Sequence, residues 1–309
     1  MAEAGFFPGV VYYFTQWLPN KDRGKAMAIF LSGSALASVL SGPLSGALLQ
    51  VEGGGMHGWQ WMFIIEGVAS IALCFVVWFF LDSKPSDAKW LSDAERNELV
   101  AVIDAEQRQR AASKPANVSM LTLLKDSRIV LFCLIYFAIQ LTIYGATFWL
   151  PSIIKKMGDY SDFQIGLFNS IPWIISIAAM YMFAALAARF KRQQMWVAIA
   201  LTIAACGMFA STIAGPVFAF VAICFAGIGF KAASALFWPI PQAYLDARIA
   251  AAVIALINSL GNLGGFVAPA TFGYLEQKTG SIQGGLYGLA AASMVAAALV
   301  FLTRNKAAK

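Results

Sequence analysis

Charge is scarce in this chain. Asp, Glu, Lys and Arg together supply 12% of its residues, against about 25% in soluble domains. His57 is the only histidine, with no second imidazole or nearby thiol to complete a metal site. The four cysteines, Cys74, Cys133, Cys206 and Cys224, all lie in apolar runs without C-x-x-C spacing, so they read as reduced packing residues. No H-E-x-x-H, no Ser with His and no pair of facing aspartates occurs in those runs, which leaves an intramembrane enzyme without its chemistry. No G-x-G-x-x-G or P-loop follows a strand pattern, so nucleotide coupling is unsupported. Neither a cofactor nor a metal is expected. Period-2 alternation is missing too, which argues against an outer-membrane barrel. No Ser/Arg-rich or basic-then-apolar signal precedes the first apolar run.

What the chain has instead is apolar length. Hydrophobic residues make up 60% and the mean hydropathy is +0.69, and a soluble core of this size would leave much of that surface wet. Runs of about 20 apolar residues fall at 2 to 18, 27 to 50, 59 to 81, 129 to 150, 163 to 188, 194 to 214, 216 to 239, 250 to 272 and 284 to 303. The fold class is therefore all-α integral membrane, with about nine spans. Three spans carry a charge deep inside: Glu3 in the first, Glu66 in the third and Lys231 in the seventh. An ionised group in hydrocarbon is costly unless it faces a partner or a water-filled cavity, so each marks a solute or proton path by default.

Topology follows from the basic residues, which stay on the cytoplasmic side. One side holds Lys21, Arg23, Lys25, Arg189, Lys191, Arg192, Arg248, Arg304, Lys306 and Lys309, the other only Lys155, Lys156 and Lys278. The C-terminus is thus expected in the cytoplasm, and the net charge of +6 is mainly an orientation signal rather than a nucleic-acid patch. Residues 82 to 128 form a long polar connection with eight basic and eight acidic residues. Within it Ser92 and Glu95 make an S-x-x-E capping box ahead of a short surface helix. The domains expected are a partial bundle at 1 to 81, this linker at 82 to 128, and a six-helix bundle at 129 to 309.

A division of three spans from six suggests an internal repeat. Shifting the chain by 226 residues lays Ala26–Pro43 on Ala252–Pro269, with Ser32 on Asn258 and a proline closing each small-residue stretch. Parallel repeats of this kind build several transporter folds. If the second unit holds six helices, three are missing from the first. Met1 then reads as an internal methionine of a longer chain, and the alternative is a genuine nine-helix protein.

Several motifs now carry a resemblance. Ala2-Glu3-Ala4-Gly5-Phe6-Phe7-Pro8-Gly9, Trp17-Leu18-Pro19, Gly42-Pro43-Leu44-Ser45-Gly46 and Gly58-Trp59-Gln60-Trp61 through Glu66-Gly67 occur in order. Trp90-Leu91-Ser92, Tyr144-Gly145, Phe148-Trp149-Leu150-Pro151, Phe237-Trp238-Pro239-Ile240-Pro241 and Ile257-Asn258-Ser259-Leu260-Gly261-Asn262 follow. Together they resemble the anion:cation symporter family of the major facilitator superfamily, in its tartrate- and phthalate-type carboxylate branch. The resemblance implies that the spans are helices 4 to 12 of a twelve-helix transporter. It further implies proton-coupled uptake of an organic anion by alternating access in the inner (plasma) membrane, by a protein monomeric when full length. Its partners would be a small organic acid, protons and the bilayer. By the same resemblance Glu3 is the proton-coupling residue.

The family's binding positions resemble Gln140, Trp238 and Asn258. Tyr144 lies four residues after Gln140, and Asn262 four after Asn258, so each pair shares a helix face. Trp238 has a second reading as part of the interfacial aromatic belt, as Trp59, Trp61 and Trp149 do. Lys231, which matches no family motif, would either snorkel or attract a carboxylate. Glu66 reads as a support between helices. Gly42 with Gly46, and Gly261 with Gly265, are spaced G-x-x-x-G for close backbone approach. Ala235 and Phe237 stand where sugar-acid members carry hydroxyls, which points to a less hydroxylated acid. The family's substrate-gripping arginines lie upstream of Glu3, outside this chain. A non-transporting remnant and a facilitator for another solute class therefore stay open, and the 309-residue chain alone is not expected to transport.

Overall fold

The computed structural model describes residues 6–112, 123–190, 192–244, 247–281 and 283–303. Its helices are α1 (Phe6–Trp17), α2 (Asn20–Leu48), α3 (Gly58–Phe80), α4 (Asp93–Ala112), α5 (Ser127–Lys155), α6 (Asp162–Phe190), α7 (Gln193–Ala210), α8 (Pro216–Phe237), α9 (Pro239–Tyr244), α10 (Ala247–Thr279) and α11 (Gln283–Leu302). Among the described residues no strand forms beyond an isolated bridge between Gly53 and Met56. Among the described residues seven helices are long and apolar enough to cross a membrane, and α2 adds the apolar stretch Leu36–Leu48. The chain divides into two compact units, Met1–Ala37 with Leu48–Pro115, and Ser38–Ala47 with Ala116–Lys309.

In the first unit, α1 stops before Pro19, whose ring disfavours helical backbone in the residue preceding it. Trp17 then stacks on Trp90, with ring centroids 5.9 Å apart. Asp82 gathers the same corner: its backbone carbonyl accepts the Tyr13 hydroxyl at 3.0 Å and its carboxylate accepts Trp90 Nε1–H at 3.2 Å. The turn into α3 places Gly54 and Gly55 at φ of 61° and 72°, which glycine adopts without a Cβ clash. His57 opens α3, its backbone N–H donating to Gln60 Oε1 at 2.8 Å. Phe63, Val68, Trp78 and Phe80 are all exposed on α3, as befits a helix apolar on every side.

The capping box forms as the sequence predicts. Ser92 N–H and Oγ–H both donate to Glu95 Oε2, at 3.1 and 2.6 Å, and Glu95 N–H returns to Ser92 Oγ at 3.4 Å. The Ser92 hydroxyl, then its N–H, hold the Glu95 carboxyl below the ordinary glutamate range. A depressed pKa stabilises the α4 start at neutral pH, and that contribution is lost as pH falls through the folded value. A carboxyl-detected NMR titration should therefore give Glu95 a midpoint below about 4.3, and Ser92→Ala should move it up toward that value.

In the second unit, α5 packs chiefly on α10, α7 on α8 and α11, and α6 on α8. Ile135, Ile139, Leu201, Met208, Phe237 and Ile257 fill its centre. Small residues set the spacing: a Cβ at Gly207 would come 2.6 Å from Ala226 N, and one at Gly145 2.6 Å from Leu289 Cδ1. The buried hydroxyls of Thr142 and Ser293 pair at 2.8 Å, joining α5 to α11. Both G-x-x-x-G pairs sit at helix contacts, Gly42 and Gly46 against Gly166 and Asp162, Gly261 and Gly265 against the rings of Tyr136 and Tyr144.

Pro43 and Pro269 close their small-residue stretches in the sequence, yet both lie inside continuous helices. At Pro43 the reason is visible. Proline has no N–H for the carbonyl four residues back, here Val39, and that oxygen instead accepts the Ser170 hydroxyl at 2.5 Å. The bond crosses from α6 where Gly42 and Gly166 meet.

Candidate functional site

In the largely apolar α5 and α10, a few hydroxyls such as Thr142 and Thr271 bond within their own helices, and the amides and tyrosines form a short stripe. On α5, Tyr136, Gln140 and Tyr144 recur every four residues and so share one face. On α10, Asn258 and Asn262 do likewise. The two stripes meet: Gln140 Nε2–H donates to Asn262 Oδ1 at 2.7 Å, and Asn262 Nδ2–H donates to Asn258 Oδ1 at 3.2 Å. Gln140 is buried while Asn262 is exposed, so the chain of amides runs from the interior of the unit to its surface. It leaves a free donor on Asn258 and a free acceptor on Gln140 by the side-chain inventory.

Aromatic rings flank this chain. Tyr144 is partly exposed, at 38%, and its ring lies where a Cβ on Gly265 would come within 2.7 Å. Tyr136 is buried against Gly261 and Phe237, and its ring centroid stands 4.7 Å from that of Trp238. Trp238 falls at the break between α8 and α9, where Pro239 and Pro241 each remove a backbone donor. The Leu236 carbonyl beside that break accepts Gln193 Nε2–H at 2.8 Å from α7. Trp238 is half-buried and packs against the core of the second unit. Trp149 is also engaged, stacked on Phe272 at 3.9 Å and donating Nε1–H to Glu276 at 3.1 Å.

Lys231 stands elsewhere on α8. Its Nζ lies 5.1 Å from the centre of the Trp173 ring on α6, a cation–π distance. No described bond joins it to the amide chain. Glu3 lies outside the described residues. Glu66 is half-buried on α3, and its backbone carbonyl accepts the Ser70 hydroxyl at 2.8 Å. Among the described residues no group of three His, Cys, Asp or Glu is placed to hold a metal.

Two site neighbours escaped the sequence reading. Tyr136 was signalled only by its place four residues before Gln140, and Trp173 only by an aromatic beside Pro172. Each looks like any core aromatic in an apolar helix.

Helices of this length and apolarity, packed through glycines around a few hydrogen-bonded amides, define a multi-pass helical membrane protein. The chain belongs to the Major Facilitator Superfamily, which it matches over residues 1–269. It is 40% identical to a protein of Agrobacterium vitis named "Putative tartrate transporter", across 100% of this chain and 70% of that protein. It is 37% identical to a quinolone resistance transporter of Acinetobacter baumannii, across 99% of this chain and 70% of that one. A bacterial homologue of the human lysosomal transporter Spinster, solved inward-facing and occupied, superposes with a TM-score of 0.70. The match covers 97% of this chain and 74% of that structure, and identity of 16% makes it evidence of fold alone. The chain is accordingly a membrane transporter of small-molecule solutes and not an enzyme.

Proposed function

We propose that the protein is a proton-coupled carrier of an organic carboxylate, working by alternating access in the inner membrane with its C-terminus in the cytoplasm. The observation that carries this reading is the Gln140–Asn262–Asn258 amide chain, a set of donors and acceptors placed in otherwise apolar helices. Amide N–H groups donate to a carboxylate or hydroxyl, and their carbonyls accept from a hydroxyl, so one chain serves a hydroxy acid at both kinds of atom. Tyr144 and Trp238 supply the adjoining walls. The Agrobacterium vitis relative named for tartrate supports the same solute class. Export of a larger drug is the second reading, favoured by the Acinetobacter baumannii relative.

Glu3 is assigned the coupling proton. A carboxyl in a low-dielectric cavity has its charged form disfavoured and so holds a proton near neutral pH, releasing it on rearrangement. Glu3→Gln keeps shape and hydrogen bonding but removes that proton. In proteoliposomes of the full-length protein this variant is expected to lose concentrative uptake under an imposed pH gradient while retaining exchange of internal for external solute. Gradient-driven uptake at the unaltered rate would move the proton to another residue, Glu66 first.

A further inference from the structure

We infer that Lys231, held against Trp173, is a second anion-binding point of the solute site and selects dicarboxylates over monocarboxylates. This rests on the carboxylate-carrier reading above.

Side-chain direction settles where the charge sits. In a helix the Cα–Cβ bond tilts toward the N-terminus, so Lys231 reaches back along α8 and not forward to the Phe237 end. Its ammonium meets Trp173, which stands ~16 Å from the Asp162 end of α6 and ~25 Å from the Phe190 end at 1.5 Å per residue. The charge is therefore well inside the helix bundle whichever way the chain crosses the membrane. The ammonium lies over the Trp173 ring on α6, and this is taken as its working position in place of snorkelling.

Among the described residues of the second unit's helices no Asp or Glu stands beside it. The helices α5, α7, α8 and α11 contain no Asp or Glu. Asp162 begins α6, a full ~16 Å from Trp173, and Glu276 near the end of α10 accepts from Trp149. An indole face attracts a cation less strongly than water does, so the cation–π contact positions the ammonium without repaying its desolvation. A methionine of similar shape would pack there at lower cost. The charge makes physical sense when a solute anion completes it.

The amide chain is neutral and separate from Lys231. One carboxylate, with the hydroxyl beside it, engages the amides, and a second carboxylate on the same solute engages the ammonium. A monoanion serves only one of the two.

The test compares counterflow of radiolabelled tartrate and glycerate, a dianion and a monoanion of related shape, in proteoliposomes of the full-length protein. Unaltered protein is expected to favour tartrate. Lys231→Met is expected to weaken half-saturation by tartrate about tenfold or more, the size of a lost charge-assisted hydrogen bond, and to leave glycerate within about twofold. Lys231→Arg should keep the tartrate preference, and Trp173→Leu, which releases the ammonium from its position, should erode it while leaving glycerate exchange. If Lys231→Met fails to fold, these last two variants decide, and equal losses for both acids in Trp173→Leu overturn the inference. An unchanged tartrate-to-glycerate ratio in Lys231→Met overturns it as well, leaving the carrier reading intact. Exchange of neither acid by unaltered protein overturns the carrier reading and the inference with it.

Discussion

Asn262→Leu is expected to reduce carboxylate transport by about tenfold to a hundredfold while the protein still folds. Asn262 is the middle link of the amide chain, accepting from Gln140 and donating to Asn258. Leucine removes both bonds and the exposed polar group at the middle of the chain. A hydrogen bond to a charged group is worth about 1.5–3 kcal/mol, which sets the expected loss of solute affinity. The stability cost is smaller, about 0.6–1.7 kcal/mol for one interhelical bond within a membrane. Initial uptake rates and melting in detergent separate the two effects. Full transport with a lowered melting temperature would make the amides a fastener between α5 and α10 and nothing more.

The larger structural effect is expected from Gly166→Val. A Cβ at Gly166 would run into the backbone of Gly42 and come 3.0 Å from Pro43 N. Backbone cannot step aside as a flexible side chain can, so the two helices must separate locally. Overpacking typically costs about 1–3 kcal/mol. Separation also takes Ser170 away from the Val39 carbonyl that Pro43 has left without its helical donor, and an unsatisfied buried acceptor adds about 1–3 kcal/mol. Melting should fall sharply. Ser170→Ala isolates the second contribution and should cost less than Gly166→Val. Gly273→Ala is the control: a Cβ there meets nothing within 4 Å, and alanine is the better helix former by about 1 kcal/mol. Equal melting for Gly166→Val and Gly273→Ala would refute the tight crossing.

The helices were legible in the sequence because a bilayer demands long apolar runs, but their ends were not. The helix α2 begins at Asn20 and takes in the basic residues ahead of the apolar run at 27, and α10 extends from Ala247 to Thr279 around a run of 250 to 272. Apolar counting sees only what hydrocarbon tolerates, whereas backbone hydrogen bonding continues into water. Prolines were read more easily than their consequences. Pro239 and Pro241 interrupt the helical hydrogen bonding at Trp238, whose backbone stays in the α region, while Pro43 lies inside α2, where Ser170 on a distant segment satisfies the freed carbonyl. No local pattern encodes that contact. The amide pairs were visible as i, i+4 spacings, but their meeting across α5 and α10 depends on glycines that bring Tyr136 and Tyr144 onto α10. Lys231 was visible as a charge in an apolar run; its direction and its partner Trp173 required tertiary structure.

The central claim is most directly tested by loading proteoliposomes with the purified full-length protein, of which these 309 residues are expected to be a part, imposing a pH gradient acid outside, and following labelled tartrate beside a labelled quinolone. The account predicts accumulation of tartrate above its external concentration, collapse of that accumulation when a protonophore dissipates the gradient, and no inward movement of the quinolone. Tartrate entry indifferent to the gradient, or movement of the quinolone alone, would contradict it.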